Sequence, residues 1–507
     1  MKTSGKNITS VIGSSMTVAI AGDAVPEFLR RAHDLASTGR SEEALACLTE
    51  SNLQQLRDQA GLEAQIVLGR IWRMLGRLRE AAECYQCVVE KQPDAVILSE
   101  LASLYSDAGR FFQALRCCEK ALALREGWPE LKALYASCLM KIGKLNEGME
   151  LLKEIIDAGQ ATARLHSQYL FHLHYVPEMD AKTVLKEYCR WGASYAPGHL
   201  ARTKHGNSPD PYRRLRIGYL SADFRRHSVA YTFEALLDGR KPEDAEIYGY
   251  GSVTRPDEVT DRLAQKFDGY RDVLKLDDKT VAGLVERDKI DILVALAGHS
   301  ARHRLGVLAY KPAPIQVDMG SLATTGMEQV DYRLTDQWLD PPNTQSECLE
   351  EFVYLPGGSV CYRPAQNGPT VEPPPVLKNG YVTFGSFNNL LKVNDYTIGL
   401  WASVLQAVPD SRLLMKFHGS YDPHLVQVVR DCFEQNSISS DRLQFVGYRA
   451  SFAEHMQCFH ALDIALDTYP FNGGVTSLEG LWMGVPLISL AGQCFTRRTG
   501  FHLLTQM

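Results

Sequence analysis

Tyr381-Val-Thr-Phe-Gly-Ser-Phe-Asn-Asn-Leu-Leu-Lys392 is the stretch on which the fold turns. It opens as an apolar run of strand length, breaks at Gly385-Ser386, presents Asn388, Asn389 and Lys392, and gives way to a helical pattern over 395–408. Strand, polar loop and helix in that order place ligands at the carboxyl end of a parallel sheet. Strands alternate with helices on both sides of it. Leu215–Ser221, Ile247–Ser252, Asp291–Ala297, Ile315–Met319, Tyr332–Thr335 and Val353–Leu355 precede it. Arg412–Phe417, Leu443–Val446, Ile464–Leu466 and Leu487–Leu490 follow. That alternation predicts two parallel α/β halves, 214–372 and 373–507, separated by the proline- and glycine-rich stretch 363–380.

The first third has a different period. Ala32, Gly69, Ala102 and Ala136 recur at intervals of 37, 33 and 34 residues, each followed seven residues later by Gly39, Gly76, Gly109 or Gly143. Ala44, Ala81, Ala114 and Gly148 recur five residues after those glycines. Small residues let two helices cross closely, and a glycine ends the first helix of each unit in a left-handed conformation. The pattern resembles tetratricopeptide repeats, so 26–196 is expected to be a repeat array with a helical cap, and 197–213 a linker. Such arrays stack into superhelices that bind proteins or peptides, or serve as spacers or dimerisation arms. Residues 1–25 read as a disordered tail, since glycine, serine and threonine interrupt any signal-peptide core.

Composition narrows the class. The 507 residues are 45% apolar and 22% charged with net charge −6, an ordinary balance that gives no basic face for nucleic acid and no membrane-spanning run. The twelve cysteines have no framework spacing. Cys84 and Cys87 lie inside a helical pattern, not at a redox turn, so reduced thiols in a cytoplasmic protein are expected.

Chemistry gathers in the loops at the strand ends. Tyr469-Pro-Phe-Asn-Gly-Gly-Val-Thr-Ser477 enters a helix, and free amides at such a start, with Thr476, suit a pyrophosphate. Lys392 supplies a point charge to the same group. Glu479, one turn into the helix, is placed for a ribose, and His455 for the base or for the surface. In the first half, Asp223 and His227 follow the opening strand, and a histidine near neutrality suits general-base work. Gly298-His-Ser300 with Arg302, His303 and Arg304, and the loop 320–326, are further carboxyl-end candidates for anions or an acceptor. No Asp-x-Asp segment is placed to hold a metal at a diphosphate. The Rossmann glycine fingerprint and the Walker lysine loop are also missing.

Several segments in order resemble the SPINDLY / protein O-GlcNAc transferase family: 219–227, 288–294 with 298–300, 311–316, 331–336, 385–392 and 469–474. The resemblance implies two GT-B lobes, each Rossmann-like, and an inverting, metal-independent transfer from a nucleotide sugar to serine or threonine of a protein. It implies no cofactor, with UDP-GlcNAc as donor substrate. By matching motif, His227 falls on the active-site histidine, Lys392 and Asn389 on the donor pyrophosphate contacts, and Gly474, Val475 and Thr476 on the phosphate loop. Glu479 falls on the ribose contact and His455 on the histidine near the base. Val475 replaces a frequent threonine, and Met319-Gly-Ser-Leu-Ala323 a Gly-Tyr-Pro stretch. Family members continue past the segment matching 501–507, so the second lobe is expected to be incomplete or the activity lost. The rivals are a GDP-fucose protein O-fucosyltransferase of the SPINDLY branch and a repeat scaffold with a vestigial transferase. Protein acceptors bound through the array, and a second copy of the chain, are the implied partners; no nucleic acid or membrane is.

Overall fold

The computed structural model describes residues 25–59, 61–363, 368–447, 449 and 451–507. The tail expected over 1–25 therefore lies, up to residue 24, outside the described residues. The chain forms two compact units, one reaching to Gln160 and including His418–Val428, the other comprising Ala161–Phe417 and Val429–Met507.

The first unit is built of helix pairs: Glu27–Ser37 with Ser41–Cys47, Leu62–Met74 with Leu78–Lys91, Ala95–Asp107 with Phe111–Leu124, and Pro129–Lys141 with Leu145–Asp157. Gly39, Gly76, Gly109 and Gly143 all take positive φ, between 72° and 94°, where the first helix of each pair ends. The small columns are buried for the expected reason: Ala32, Ala81, Ala102 and Ala136 are fully inaccessible. A Cβ on Gly69 would stand 2.5 Å from the Tyr85 ring, and one on Gly148 2.6 Å from the Ala136 carbonyl. Residues 418–428 join this unit: the Tyr421 hydroxyl donates to the Ala108 carbonyl, and the His418 ring meets Phe111 edge-on.

The second unit holds two parallel sheets. The first contains β1 (Leu215–Ser221), β2 (Ala245–Gly251), β3 (Gly269–Asp272), β4 (Ile292–Ala295), β5 (Ile315–Asp318), β6 (Tyr332–Thr335) and β7 (Glu351–Tyr354), in the order β3-β2-β1-β4-β5-β6-β7. The second contains β8 (Thr383–Ser386), β9 (Arg412–Met415), β10 (Leu443–Phe445), β11 (Ile464–Leu466) and β12 (Leu487–Ile488), in the order β10-β9-β8-β11-β12. Every strand pairing is parallel. β3 is the strand that the sequence pattern does not predict: Gly-Tyr-Arg-Asp has no apolar run, and it forms on the edge beside β2.

Phe224, Phe233, Phe267 and Val294 head the core of the first sheet's lobe; Leu414, Met456, Phe459 and Val485 head that of the second. The helices Ala163–Leu173 and Ala181–Tyr195, read from sequence as the cap of the array, cluster with the sheets. Ser167 and Trp191 pack on His299, which explains why the repeat columns are lost there. The last helix, Thr499–Thr505, ties the two lobes: His502 Nδ1 lies 3.1 Å from the buried Asp336 carboxylate, and Arg498 donates to the Trp338 carbonyl at 2.6 Å.

Candidate functional site

Four segments meet at the carboxyl ends of β8, β9 and β11. β8 is wholly buried and ends in Ser386, so the chain leaves it as a polar turn. Asn388 is buried, and its Oδ1 lies 3.2 Å from where a Cβ on Gly473 would stand. Asn389 is exposed and accepts from the Leu391 amide at 3.1 Å, which caps the short turn Leu390–Lys392 and aims the lysine. Lys392 Nζ donates to the Asn472 carbonyl at 2.7 Å and sits 4.1 Å from the centre of the Phe471 ring. Burial pulls its pKa down to about 8 against the opposing pull of Asp467.

Asp467, just past β11, was not singled out in the sequence. Its Oδ1 accepts from the Gly473 amide at 2.6 Å and the Thr468 amide at 2.9 Å, and its Oδ2 from Ser489 at 2.6 Å. Burial pushes its pKa up. This carboxylate shapes the glycine loop. The loop then enters the helix Val475–Trp482 with Gly474 as its N-cap residue, so Val475 and Thr476 lie in the first turn. The first amides of a helix have no intrahelical acceptor, and the dipole there favours an anion.

One turn along that helix, about 5.4 Å, stands Glu479, buried, with its Oε2 2.9 Å from His455 Nε2. Lys416, just past β9, donates to the other ring nitrogen, Nδ1. A lysine has no acceptor, so the ring carries its proton on Nε2 and donates it to Glu479. Lys416, His455 and Glu479 thus form one relay from three strand ends. His455 is a positioned group rather than a surface histidine. Tyr231 and Tyr362 are within electrostatic reach of Glu479: burial, and then that carboxylate, push Tyr362 up, and burial does the same to Tyr231. Neither tyrosine was legible, because both come from the first half, far from Glu479 in sequence.

His227 is the N-cap residue of the helix Ser228–Asp238, one turn before Tyr231. Its Nδ1 accepts from the Val229 amide at 3.3 Å and lies 3.7 Å from Asp223. Burial lowers its pKa, with Asp223 opposing and Arg225 assisting. The neutral ring therefore carries its proton on Nε2 and can donate from it; general-base work would require giving up the cap. Asp291, another carboxylate of the first half, is at the wrong end of the sheet for a base. It precedes β4, where Arg213 at 2.6 Å, Asn207 at 2.6 Å and the Arg216 amide at 2.9 Å hold it.

Other sequence candidates have structural duties. His299 bonds Ser167 at 2.9 Å and the Thr325 carbonyl at 2.8 Å, and His303 bonds Ser167 at 2.8 Å. Arg304 is spent on Asp278 and on the carbonyls of Val273 and Leu276. In the loop 320–326, the Thr324 and Thr325 hydroxyls both donate to the buried Glu350 carboxylate. All twelve cysteines are free thiols. Among the described residues no cluster of three or more His, Cys, Asp or Glu is arranged for a metal, and no helix is long and apolar enough to cross a membrane.

The fold is thus two parallel α/β lobes, with a lysine, a glycine loop and a helix start gathered at the strand ends of the second. The chain belongs to glycosyl transferase family 41, whose model matches residues 199–361 and 375–506. A tetratricopeptide-repeat model matches residues 105–167. The chain is 38% identical over 343 residues to the Arabidopsis thaliana protein named "Probable UDP-N-acetylglucosamine--peptide N-acetylglucosaminyltransferase SPINDLY". That match covers 67% of this chain and 38% of the relative. It is 29% identical over 293 residues to the similarly named SEC of the same plant, covering 55% of this chain and 29% of that protein. The structure of a Thermobaculum terrenum O-GlcNAc transferase mutant superposes with a TM-score of 0.82 at 31% identity, covering 88% of this chain and 85% of that one. The chain thus spans less than two fifths of the length of these plant relatives.

Proposed function

We propose that the protein transfers a sugar, N-acetylglucosamine from UDP-GlcNAc, to serine or threonine hydroxyls of proteins. The observation that carries this reading is the phosphate corner: Lys392 Nζ held on the Asn472 carbonyl beside the glycine loop and the helix start. The proteins it is similar to supply the donor and acceptor classes through their names.

In this reading the diphosphate lies on the Gly474–Thr476 amides and Lys392, and the ribose reaches Glu479 one helical turn away. The nucleoside is bounded by His455, Tyr231 and Tyr362. The acceptor hydroxyl attacks the anomeric carbon from the face opposite the diphosphate. The bond to the phosphate oxygen breaks with inversion, and the hydroxyl proton leaves to water. Charge on the departing diphosphate is met by Lys392, the Thr476 hydroxyl and the helix start without a metal; such preorganised donors act most strongly where charge develops. His227 contributes its Nε2–H at the sugar.

The test is calorimetry of UDP-GlcNAc and GDP-fucose against the full chain, with mass spectrometry of transfer to a serine/threonine peptide library in EDTA. Lys392→Met is expected to remove most donor binding and to abolish transfer while leaving the melting curve unchanged. Wild-type turnover in that variant, or an absolute divalent-metal requirement, would sink the reading. Transfer from GDP-fucose alone would move the donor to the fucose branch, and binding without any transfer would leave a repeat scaffold.

A further inference from the structure

The chain carries net charge −6, yet four arginines converge at the carboxyl edge of the first sheet, beside His227. β2, β1 and β4 are neighbours in that sheet, and each delivers one arginine in the loop that follows it: Arg255, Arg225 and Arg302. Arg302 takes φ +65° and donates to Thr254, the residue before Arg255, which closes the gap between the outer two loops. Arg225 reaches back to Asp223 at 3.1 Å, and Asp223 lies 3.7 Å from His227. Arg164 comes from the helix Ala163–Leu173. It stands one turn before Ser167, the residue to which His299 and His303 of the β4 loop are bonded.

The guanidinium of Arg302 is within electrostatic reach of the other three: after the partial desolvation of its head group, Arg225, Arg164 and Arg255 lower its pKa. Asp223 is the opposing carboxylate, and it is already bonded to Arg225. Arg164, Arg255 and Arg302 are exposed and Arg225 half-buried, so the cluster is open to a ligand. Bringing like charges together costs free energy, and guanidinium groups are suited to bidentate recognition of carboxylate or phosphate.

We propose that Arg164, Arg225, Arg255 and Arg302 form an acceptor subsite that binds an acidic side chain close to the modified serine or threonine. The proposal rests on the function proposed above, which puts the reacting centre at His227. The cluster lies on the first lobe with that histidine, whereas Lys392 lies on the second, so it meets the incoming peptide rather than the diphosphate. It selects hydroxyls in acidic surroundings.

The probes are two fluorescein-labelled peptides, one with a single serine flanked by aspartates and the other with asparagines in their place. Both are titrated with the full chain in saturating UDP and followed by anisotropy. The aspartate peptide is expected to bind about tenfold more tightly, the factor that about 1.4 kcal/mol represents, and to lose the advantage in high salt. Arg255→Gln with Arg302→Gln should bring it to the level of the asparagine peptide. Both side chains are exposed, so the fold should be kept, and a melting curve checks this. UDP affinity should be unchanged. Equal binding of the two peptides, with UDP still bound, overturns the subsite and leaves the proposed function standing. Weakened UDP binding in the double variant overturns it too, by assigning the arginines to the donor phosphates. Failure of the unaltered chain to bind UDP at all counts against both.

Discussion

Lys392 and His227 show how burial and one hydrogen bond decide what a residue can do. Burial draws Lys392 to about pH 8, so at neutrality it is charged but only about one unit from losing its proton. A phosphate needs the charged form, and a bound diphosphate would hold the proton in place. Nucleoside diphosphate affinity is therefore expected to fall with rising pH above about 8, by up to about tenfold per unit. Lys392→Met should remove that slope along with most of the affinity, and calorimetry between pH 7.5 and 9.5 reads both. His227 is shifted in the same direction by the same cause, but for a histidine this means a neutral ring at pH 7. With Nδ1 on the Val229 amide it offers Nε2–H. Removing one such donor from a developing charge typically costs about 10²–10³ in turnover. His227→Ala should therefore lower turnover by that order while nucleoside diphosphate affinity stays close to wild type. A collapse of nucleotide affinity would place the histidine in the nucleotide site instead.

At the scale of elements, the glycine loop is the most exacting part. A Cβ on Gly473 would stand 2.1 Å from Ser477 Oγ and 3.2 Å from both Asn388 Oδ1 and Asp467 Oδ1, the second of which accepts that residue's own amide. Gly473→Ala is expected to push the loop off Asp467 and to weaken nucleotide binding by more than tenfold. Adding Ser477→Ala removes the shortest of these contacts and should recover part of the loss; no recovery would mean that the Asp467 side sets the fit.

The sequence makes this loop visible because Asn-Gly-Gly-Val-Thr-Ser before an apolar helix is a local pattern, as is Phe-Gly-Ser after β8. The repeat glycines are legible for the same reason: each needs positive φ at one position of a short period. What stays hidden is non-local. β3 forms because β2 offers it an edge, Asp467 matters because a loop folds back on it, and Lys416 joins His455 across 39 residues. Asn388 and Asn389 are adjacent and chemically identical. Only the turn geometry sends one into the glycine loop and leaves the other as an exposed cap.

At the scale of the molecule, the two compact units suggest a division of labour. The proposed donor site lies entirely in the unit made of 161–417 and 429–507, so donor chemistry should not require the repeats. The repeats, in turn, offer what sheets do not: a stack of helix pairs whose neighbours supply most of each other's contacts, so that units can be removed from one end with the rest retained. The place to cut follows from segment 418–428. It is held by the third pair, through the Ala108 carbonyl and the rings of Phe111 and Phe112. Deleting residues up to 92 removes the first two pairs and keeps that support. The shortened protein is expected to hydrolyse the nucleotide sugar at the rate of the full chain, and to glycosylate short peptides equally well. Transfer to folded or long protein acceptors should fall by an order of magnitude, since those would lose the contacts that linked sites add through effective concentration. Parallel assays of donor hydrolysis, peptide transfer and transfer to a protein extract separate the three. Unchanged protein glycosylation would reduce the first two pairs to a spacer, and lost hydrolysis would show that the array is needed to form the donor site.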